Sequence, residues 1–302
     1  MTKNNNAFSL AGKKGLILGL ANENSIAWGC TQLAHQMGAE LVVSCLNDKA
    51  RRFVEPLTGP LGVDLVGCNV EEDGELQALV ARAAQRLGQL DFVIHSIAWA
   101  PMDDLHGQVI DSSRKGFSRA MEVSCHSFAE LARLCVPHMA AGGSLLSMTY
   151  LGADEAVPNY GLMGPVKAAL ESLVRYMALE LGPQGIRVHA VSPGPILTRA
   201  ASGIASFDEL MANAVLKAPL QRLVTLDEIA QLSVFLCSDA AGYIKHTFAA
   251  GDRKFLGVVK HPGMPRFRHL DIIVTNEQNY PFALLYFTGS AQHNIIMRVK
   301  AK

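Results

Sequence analysis

The segment GLILGLANENSIAWG, residues 15–29, decides the fold because a glycine joins a short apolar run to a helical pattern. Gly15–Leu20 is predicted to be a buried strand, and apolar residues recur at helical spacing over 26–37. A glycine at such a turn lets the backbone approach a pyrophosphate, whose charge the free N–H groups of the helix start attract. The turn lacks the G-x-G-x-x-G pattern, so an ordinary βα turn with Ser25 as N-cap stays open.

Five further apolar runs follow this segment, with amphipathic stretches between them. The predicted strands are 40–46, 64–70, 91–97, 144–149 and 187–192, and the predicted helices are 73–87, 117–140, 167–181 and 227–236. Strands that alternate with helices predict right-handed βαβ units and a parallel sheet covered on both faces. The predicted fold class is therefore α/β, with a doubly wound, Rossmann-type sheet.

Composition excludes several classes of protein. The 302 residues are 49% hydrophobic and 18% charged, which excludes a disordered polymer, a collagen and a disulfide scaffold. The chain shows no apolar run of membrane-spanning length and no signal-peptide stretch at its start, so a cytoplasmic location without a membrane partner is expected. Six scattered cysteines without a C-x-x-C pair predict reduced, buried thiols.

Charge is distributed unevenly along the chain. Residues 245–302 hold nine Lys+Arg against three Asp+Glu, whereas residues 1–244 hold 18 against 24. Two strands are predicted in the basic part, at 254–260 and 269–274, joined by a turn at 261–263. We therefore predict a Rossmann domain over 1–244 and a small α+β appendage over 245–302 that replaces the last strand.

Tyr160 and Lys167 form the pattern that most directly suggests chemistry. Their seven-residue spacing is two helical turns, which predicts both side chains on one face of a helix. A phenol has an ordinary pKa of ~10, and a nearby cation that lowers this pKa makes the phenol a better hydrogen-bond donor to an oxyanion. Tyr150 lies at the end of the predicted fifth strand, where open α/β sheets place ligands. On spacing alone, a second interpretation stays open, in which the tyrosine is exposed and the lysine is solvated.

Together with HSIA at 95–98 and SPGPI at 192–196, these residues resemble the enoyl-[acyl-carrier-protein] reductases, divergent short-chain dehydrogenases of fatty-acid synthesis. The resemblance covers residues 7–244, and the Tyr-x6-Lys spacing distinguishes it from ordinary short-chain dehydrogenases. It implies reduction of a trans-2-enoyl thioester on acyl carrier protein by NADH, with NADPH left open. It also implies a homo-oligomer, although the segment that builds much of the family's subunit interface is the one replaced.

The resemblance also implies residue roles and no metal. The implied catalytic residues are Tyr150, Tyr160 and Lys167. Tyr160 would stabilise the enolate, Lys167 would hold the nicotinamide ribose, and Tyr150 would line the acyl pocket with its phenol near the reacting carbons. The implied cofactor-binding residues are Gly19, Ser25, Ile26, Asn69, Val70, Ile97, Lys167 and Ile196, and the implied substrate-binding residues are Ala100, Tyr150 and Met163. Leu46 stands where the family often has Gln, and Asn69 where it has Asp, so the contacts to adenosine are expected to differ.

The basic tail resembles a different family. The run LYFTGS at 285–290, with Asp271, Asn294 and Arg298, is similar to the palm of family X DNA polymerases. Two-metal phosphoryl transfer needs several carboxylates, and Asp271 is the only match, so no polymerase activity is expected. The chain is predicted to be a chimera. Three hypotheses stay open: a working reductase, an impaired chimera that still binds cofactor, and a nucleotide- or DNA-binding fusion with weak, salt-sensitive attraction through the tail.

Overall fold

The computed structural model describes residues 8–198, 203–204, 206–251, 254–259 and 268–273. The chain divides into two compact units, Met1–Ala214 with Leu223–Gly242, and Val215–Arg222 with Tyr243–Lys302. The predicted boundary at residue 244 lies close to this division, while the separate origin of the two parts stays a prediction.

Six parallel strands form the sheet of the first unit as far as the structure describes it. They are β1 (Lys14–Leu20), β2 (Glu40–Cys45), β3 (Asp64–Gly67), β4 (Leu90–His95), β5 (Met139–Met148) and β6 (Arg187–Val191). Their order is β3-β2-β1-β4-β5-β6, so the strand order reverses between β1 and β4. The six predicted strands and the doubly wound fold class are confirmed, and the reversal is where such sheets bind ligands.

Helices cover both faces of the sheet. They are α1 (Ile26–Gln36), α2 (Asp48–Thr58), α3 (Glu75–Leu87), α4 (Met102–Leu105), α5 (Arg114–Met121), α6 (Ser127–Cys135), α7 (Met163–Leu181), α8 (Phe207–Lys217) and α9 (Leu226–Cys237). A π-helical turn, Glu122–His126, joins α5 to α6. Sequence analysis missed α2, a largely polar helix that Asn47 caps by accepting from the N–H of Ala50 at 3.0 Å.

Two helical predictions are wrong. The continuous helix predicted over 117–140 ends with α6 at Cys135, and β5 begins at Met139. The reason is Pro137, whose ring cannot continue a helix and which stands in the short 3-10 turn Val136–His138. The shared helical face predicted for Tyr160 and Lys167 is also wrong, because α7 begins at Met163 and Tyr160 precedes it.

Two apolar cores lie on opposite faces of the sheet because consecutive strand residues point to opposite sides. Leu16, Val93 and Leu145 belong to one core, whereas the next residue of each strand, Ile17, Ile94 and Leu146, belongs to the other. The six cysteines are free and buried, as predicted. Within the described residues, no helix combines the length and the apolar character needed to cross a membrane.

The second unit contains an antiparallel sheet of β7 (Ile244–Gly251), β8 (Lys254–Val259) and β9 (Arg268–Ile273) in that order. Strands β8 and β9 agree with the predicted strands, and β7 is an element that sequence analysis missed. The predicted turn at 261–263 and the run at 285–290 that carries the polymerase resemblance lie outside the described residues. That resemblance stays a prediction.

Candidate active site

The turn between β1 and α1 requires its glycine. Gly19 has φ +99°, and a Cβ built there would stand 2.1 Å from the carbonyl oxygen of Ser96. Ser25 caps α1 by accepting from the N–H of Trp28 at 3.3 Å, while its hydroxyl donates to the carbonyl oxygen of Asn22 at 2.7 Å. The turn therefore leaves the first N–H groups of α1 at the carboxyl edge of the sheet, where they attract an anion.

A cavity of about 420 Å³ opens at the carboxyl ends of β1, β4, β5 and β6. It is lined by the βα turn after β1 and by the loops after β4, β5 and β6. Further lining residues are Tyr160, Met163, Lys167, Gly203, Ile204, Phe207 and Leu210. The lining is mostly apolar with a few polar groups, which is the usual character of a cofactor or small-molecule site.

The cavity brings together most of the residues predicted to bind cofactor or substrate. Those in its lining are Gly19, Ser25, Ile26, Ile97, Ala100, Tyr150, Tyr160, Met163, Lys167 and Ile196. Asn69 and Val70 are not among the lining residues; they follow β3, where the N–H of Asn69 donates to Glu75 Oε2 at 2.6 Å. Their predicted contact with adenine stays a prediction.

Tyr150 and Tyr160 pack against each other in the cavity, with ring centroids 4.7 Å apart and planes tilted by 54°. Tyr160 is only 7% exposed. Burial, and then the neighbouring Tyr150, raise the pKa of Tyr160, and burial also raises the pKa of Tyr150. Both phenols are therefore neutral and able to donate a hydrogen bond, which rules out the exposed tyrosine that spacing alone left open.

Lys167 is a buried cation at the base of the cavity, 3% exposed. Its Nζ donates to the carbonyl oxygen of Met148 at 2.7 Å, the one acceptor that the described residues supply. An ammonium has three N–H donors, so two remain for a ligand. Burial lowers the pKa of Lys167 to about 8, against the opposing influence of Cys125 and Glu171.

His95, the last residue of β4, is fully buried and close enough to Lys167 to feel its charge. Sequence analysis did not predict it as a site residue. Its Nε2 lies 2.9 Å from Ser127 Oγ and its Nδ1 lies 3.1 Å from Ser147 Oγ. The Ser127 hydroxyl donates to Val123 at 2.6 Å, so Ser127 Oγ accepts from Nε2–H, and Nδ1 accepts from Ser147. Burial, and then the charge of Lys167, lower the pKa of His95 to about 3, which keeps the ring neutral.

Several other lining residues were missed by sequence analysis. They are Trp99, Met102, Leu105 and Thr149. Trp99 directly precedes Ala100 and Thr149 directly precedes Tyr150, so their position next to predicted site residues could have identified them. No motif in the sequence marked Met102 or Leu105. The Thr149 hydroxyl donates to Glu171 Oε1 at 2.7 Å, which places a carboxylate one turn along α7 from Lys167.

The donor set fits a dinucleotide. Gly19 permits close approach of the backbone, α1 offers its N-terminus, and Lys167 has two N–H donors for ribose hydroxyls. Among the residues described, no group of three or more His, Cys, Asp or Glu side chains is placed to hold a metal. The parallel sheet with this glycine turn, and the buried Tyr and Lys at its carboxyl edge, define a nicotinamide-dependent oxidoreductase of the short-chain dehydrogenase class.

Comparison with known proteins narrows this class. The family model described as Enoyl-(Acyl carrier protein) reductase matches residues 19–250, and the chain belongs to that family. Enoyl-[acyl-carrier-protein] reductase [NADH] 1 of Rhizobium meliloti is 42% identical over 229 residues, which is 76% of this chain and 84% of the relative.

Solved structures agree with this assignment. The Bacillus cereus enoyl-acyl carrier protein reductase with NADP+ and an indole naphthyridinone is 39% identical with a TM-score of 0.75, covering 77% of this chain and 92% of the other. The Anaplasma phagocytophilum reductase in complex with NAD is 39% identical with a TM-score of 0.74, covering 77% of this chain and 89% of the other.

Proposed function

We propose that this chain uses NADH to reduce the trans-2 double bond of enoyl thioesters on acyl carrier protein, in cytoplasmic fatty-acid synthesis. The observation that carries the proposal is that the buried Tyr160 and Lys167 reach the same cavity, although they lie on different elements. Support also comes from the relatives, which bear the name enoyl-[acyl-carrier-protein] reductase [NADH].

Tyr160 is the residue proposed to stabilise the reacting oxygen. A bound nicotinamide supplies the hydride for the β-carbon of the enoyl group. Negative charge then develops on the thioester carbonyl oxygen, and the neutral phenol of Tyr160 donates a hydrogen bond to that oxygen. Burial of Tyr160 keeps its proton on the phenol and excludes water that would compete for the oxygen.

Lys167 is proposed to act beside the phenol. Its two remaining N–H donors bind ribose hydroxyls, and its charge lowers the free energy of the developing anion. The other cofactor contacts are proposed by family role: Gly19, Ser25 and Ile26 for pyrophosphate and ribose, Asn69 and Val70 for adenine, Ile97 and Ile196 for the adenosine ribose and the nicotinamide amide. Ala100, Tyr150 and Met163 are proposed to contact the acyl chain.

We further propose a homo-oligomer. Tyr176 and Leu179 are 66% and 75% exposed and lie three residues apart on α7, so they form part of one outward face of that helix. Measurement of the solution mass by light scattering tests this: a single-chain mass contradicts it.

The origin of residues 245–302 in a polymerase palm, and their weak attraction to nucleic acid, are separate proposals. They rest on the LYFTGS run and on the excess of basic residues. Retention of the full chain on a DNA column, lost with rising salt and after deletion of 245–302, supports the attraction. A chain that passes through the column at low salt contradicts it.

The experiment for the main proposal follows NADH absorbance with crotonyl-CoA as acceptor. Tyr160→Phe is expected to lower kcat by about 10²-fold while NADH binding changes little, because only the donor to the oxyanion is lost. Tyr176→Phe, the same change at a tyrosine that is not among the cavity-lining residues, is the control. A wild-type chain that binds NADH and does not oxidise it contradicts the proposal and favours the impaired chimera.

A further inference from the structure

The backbone of Trp99 is fixed on both sides by one hydroxyl. The N–H of Trp99 donates to Ser124 Oγ at 2.7 Å, and the Ser124 hydroxyl donates to the carbonyl oxygen of Trp99 at 2.8 Å. Ser124 belongs to the π-helical turn Glu122–His126 and is fully buried. The loop after β4 is therefore tied at Trp99 to a rigid element.

The indole ring of Trp99 is fixed by a second group. The guanidinium carbon of Arg119 lies 4.3 Å from the ring centroid. Glu71 binds the same guanidinium through both carboxylate oxygens: Arg119 Nε donates to Oε1, and Nη2 donates to Oε2 at 2.9 Å. A bidentate pair fixes the plane of the guanidinium as well as its position, so the ring stacks against an oriented partner.

Trp99 lines the cavity as part of the loop after β4. The turn packs against the start of the loop, since a Cβ at Gly19 would touch Ser96 and Ile97. Trp99 lies two residues beyond Ile97 and directly before Ala100, and it is 38% exposed. Trp99 therefore lies in the chain between Ile97, which is proposed to contact the cofactor, and Ala100, which is proposed to contact the acyl chain, and all three line the same cavity.

We infer that Arg119 and Glu71 are positioning residues that hold Trp99 as a preformed wall of the thioester site. This inference rests on the proposed function. A flexible acyl thioester loses conformational freedom on binding, and a wall that is already ordered adds no ordering cost of its own. Neither Arg119 nor Glu71 is among the lining residues of the cavity, so their effect is expected on substrate affinity through Trp99.

The test uses Trp99 as its own reporter. The chain has two tryptophans, so Trp28→Phe leaves Trp99 as the sole source of indole fluorescence. In that background crotonyl-CoA is titrated onto the protein saturated with NAD+, which permits binding without reduction. Arg119→Met is expected to shift Trp99 emission, raise the Kd of crotonyl-CoA about fivefold and leave the Kd of NAD+ within about twofold.

Matched variants separate positioning from a general loss of structure. Arg119→Lys retains the cation and is expected to recover part of the affinity, and Glu71→Gln is expected to weaken binding in the same direction as Arg119→Met. Arg86→Met is the control, since Arg86 is an exposed arginine of α3 with no hydrogen bond or ion pair to the described residues. Equal unfolding midpoints establish that each variant folds.

Two results overturn the inference: wild-type affinity for crotonyl-CoA in Arg119→Met, or an equal loss of affinity for NAD+ and crotonyl-CoA. A wild-type chain that does not bind crotonyl-CoA also overturns it. Failure of the proposed function is a separate observation, namely the absence of NADH oxidation by the wild-type chain, because the titration needs no turnover.

Discussion

Lys167 shows how the burial of one charged side chain costs stability. Burial disfavours its charged form, which lowers the pKa to about 8, and Glu171 offsets only part of that effect. In the unfolded chain the lysine has its ordinary pKa, so folding in the protonated state costs free energy. The same desolvation strengthens the field that the ammonium exerts on a bound ligand.

Lys167→Met is therefore expected to stabilise the cofactor-free protein at pH 7, by up to about 3 kcal/mol, while abolishing turnover. Between pH 8 and about 10.5 the unfolded wild-type chain binds the proton that the folded chain has lost, so wild-type stability rises with pH. The gain from Lys167→Met should shrink across that window. Urea unfolding at pH 7 and pH 10 measures it, with Lys115→Met, an exposed lysine, as control.

His95 is a second residue whose protonation is linked to folding. Its pKa is lowered to about 3 in the folded chain, by burial first and by Lys167 second. The contribution of the neutral ring to stability is complete above the unfolded pKa near ~6.5 and is lost as pH falls toward 3.

His95→Asn is expected to lower the free energy of unfolding by about 1–3 kcal/mol at pH 7, because the two serine hydroxyls lose their shared partner. It should also reduce the acid sensitivity of stability between pH 6.5 and 3. Urea midpoints at pH 7 and pH 5 measure both effects. The control is His126→Asn at an exposed position. Parallel pH dependence in wild type and variant contradicts the assigned neutral ring.

At the scale of elements, α4 and residues 203–204 and 206–210 both contribute to the cavity lining. The Nε2–H of His106, just after α4, donates to the carbonyl oxygen of Gly203 at 2.8 Å. The carbonyl oxygen of Leu105 lies so close to Gly161, whose φ is +51°, that a Cβ there would stand 2.7 Å away. Thus α4 is packed against the backbone beside Tyr160 and bonded through His106 to Gly203.

His106→Ala is expected to raise KM for crotonyl-CoA about fivefold with kcat little changed, because one hydrogen bond of roughly 1 kcal/mol no longer holds the two parts of the cavity lining together. His106→Gln, whose amide N–H is able to donate, should recover part of the effect. His138→Ala, at an exposed histidine, serves as control. A lower kcat at unchanged KM would show that the bond acts on the chemical step instead.

At the scale of the whole molecule, the described residues of both apolar cores lie within 10–237. The described residues of the cavity lining likewise lie between Gly19 and Leu210. All of these residues precede β7, the first strand of the antiparallel sheet, along the chain.

A chain that ends at Tyr243 is expected to unfold cooperatively and to bind NADH within about twofold of the full chain, because it keeps every described residue of the cores and of the cavity lining. NADH titration and thermal unfolding of the two chains at equal concentration measure this. Aggregation of the shorter chain would show instead that the edge of β6 needs residues after 243 to cover it.

The sequence by itself determined the α/β class and its six strands, since each strand is a continuous apolar run and the turn at Gly19 is a local feature. It also identified Tyr160 and Lys167, through their spacing and the motifs around them. It missed α2 because polar residues cover that helix, and it extended a helix through Pro137 because periodicity outweighed the proline.

Only the tertiary structure decided how the site is assembled. Arg119 and Glu71 are 48 positions apart, and His106 and Gly203 are 97 apart. Tyr160 and Lys167 share the cavity although only Lys167 is helical. Such contacts depend on where packing against the sheet places each loop. Local sequence propensities do not encode contacts between residues so far apart in the chain.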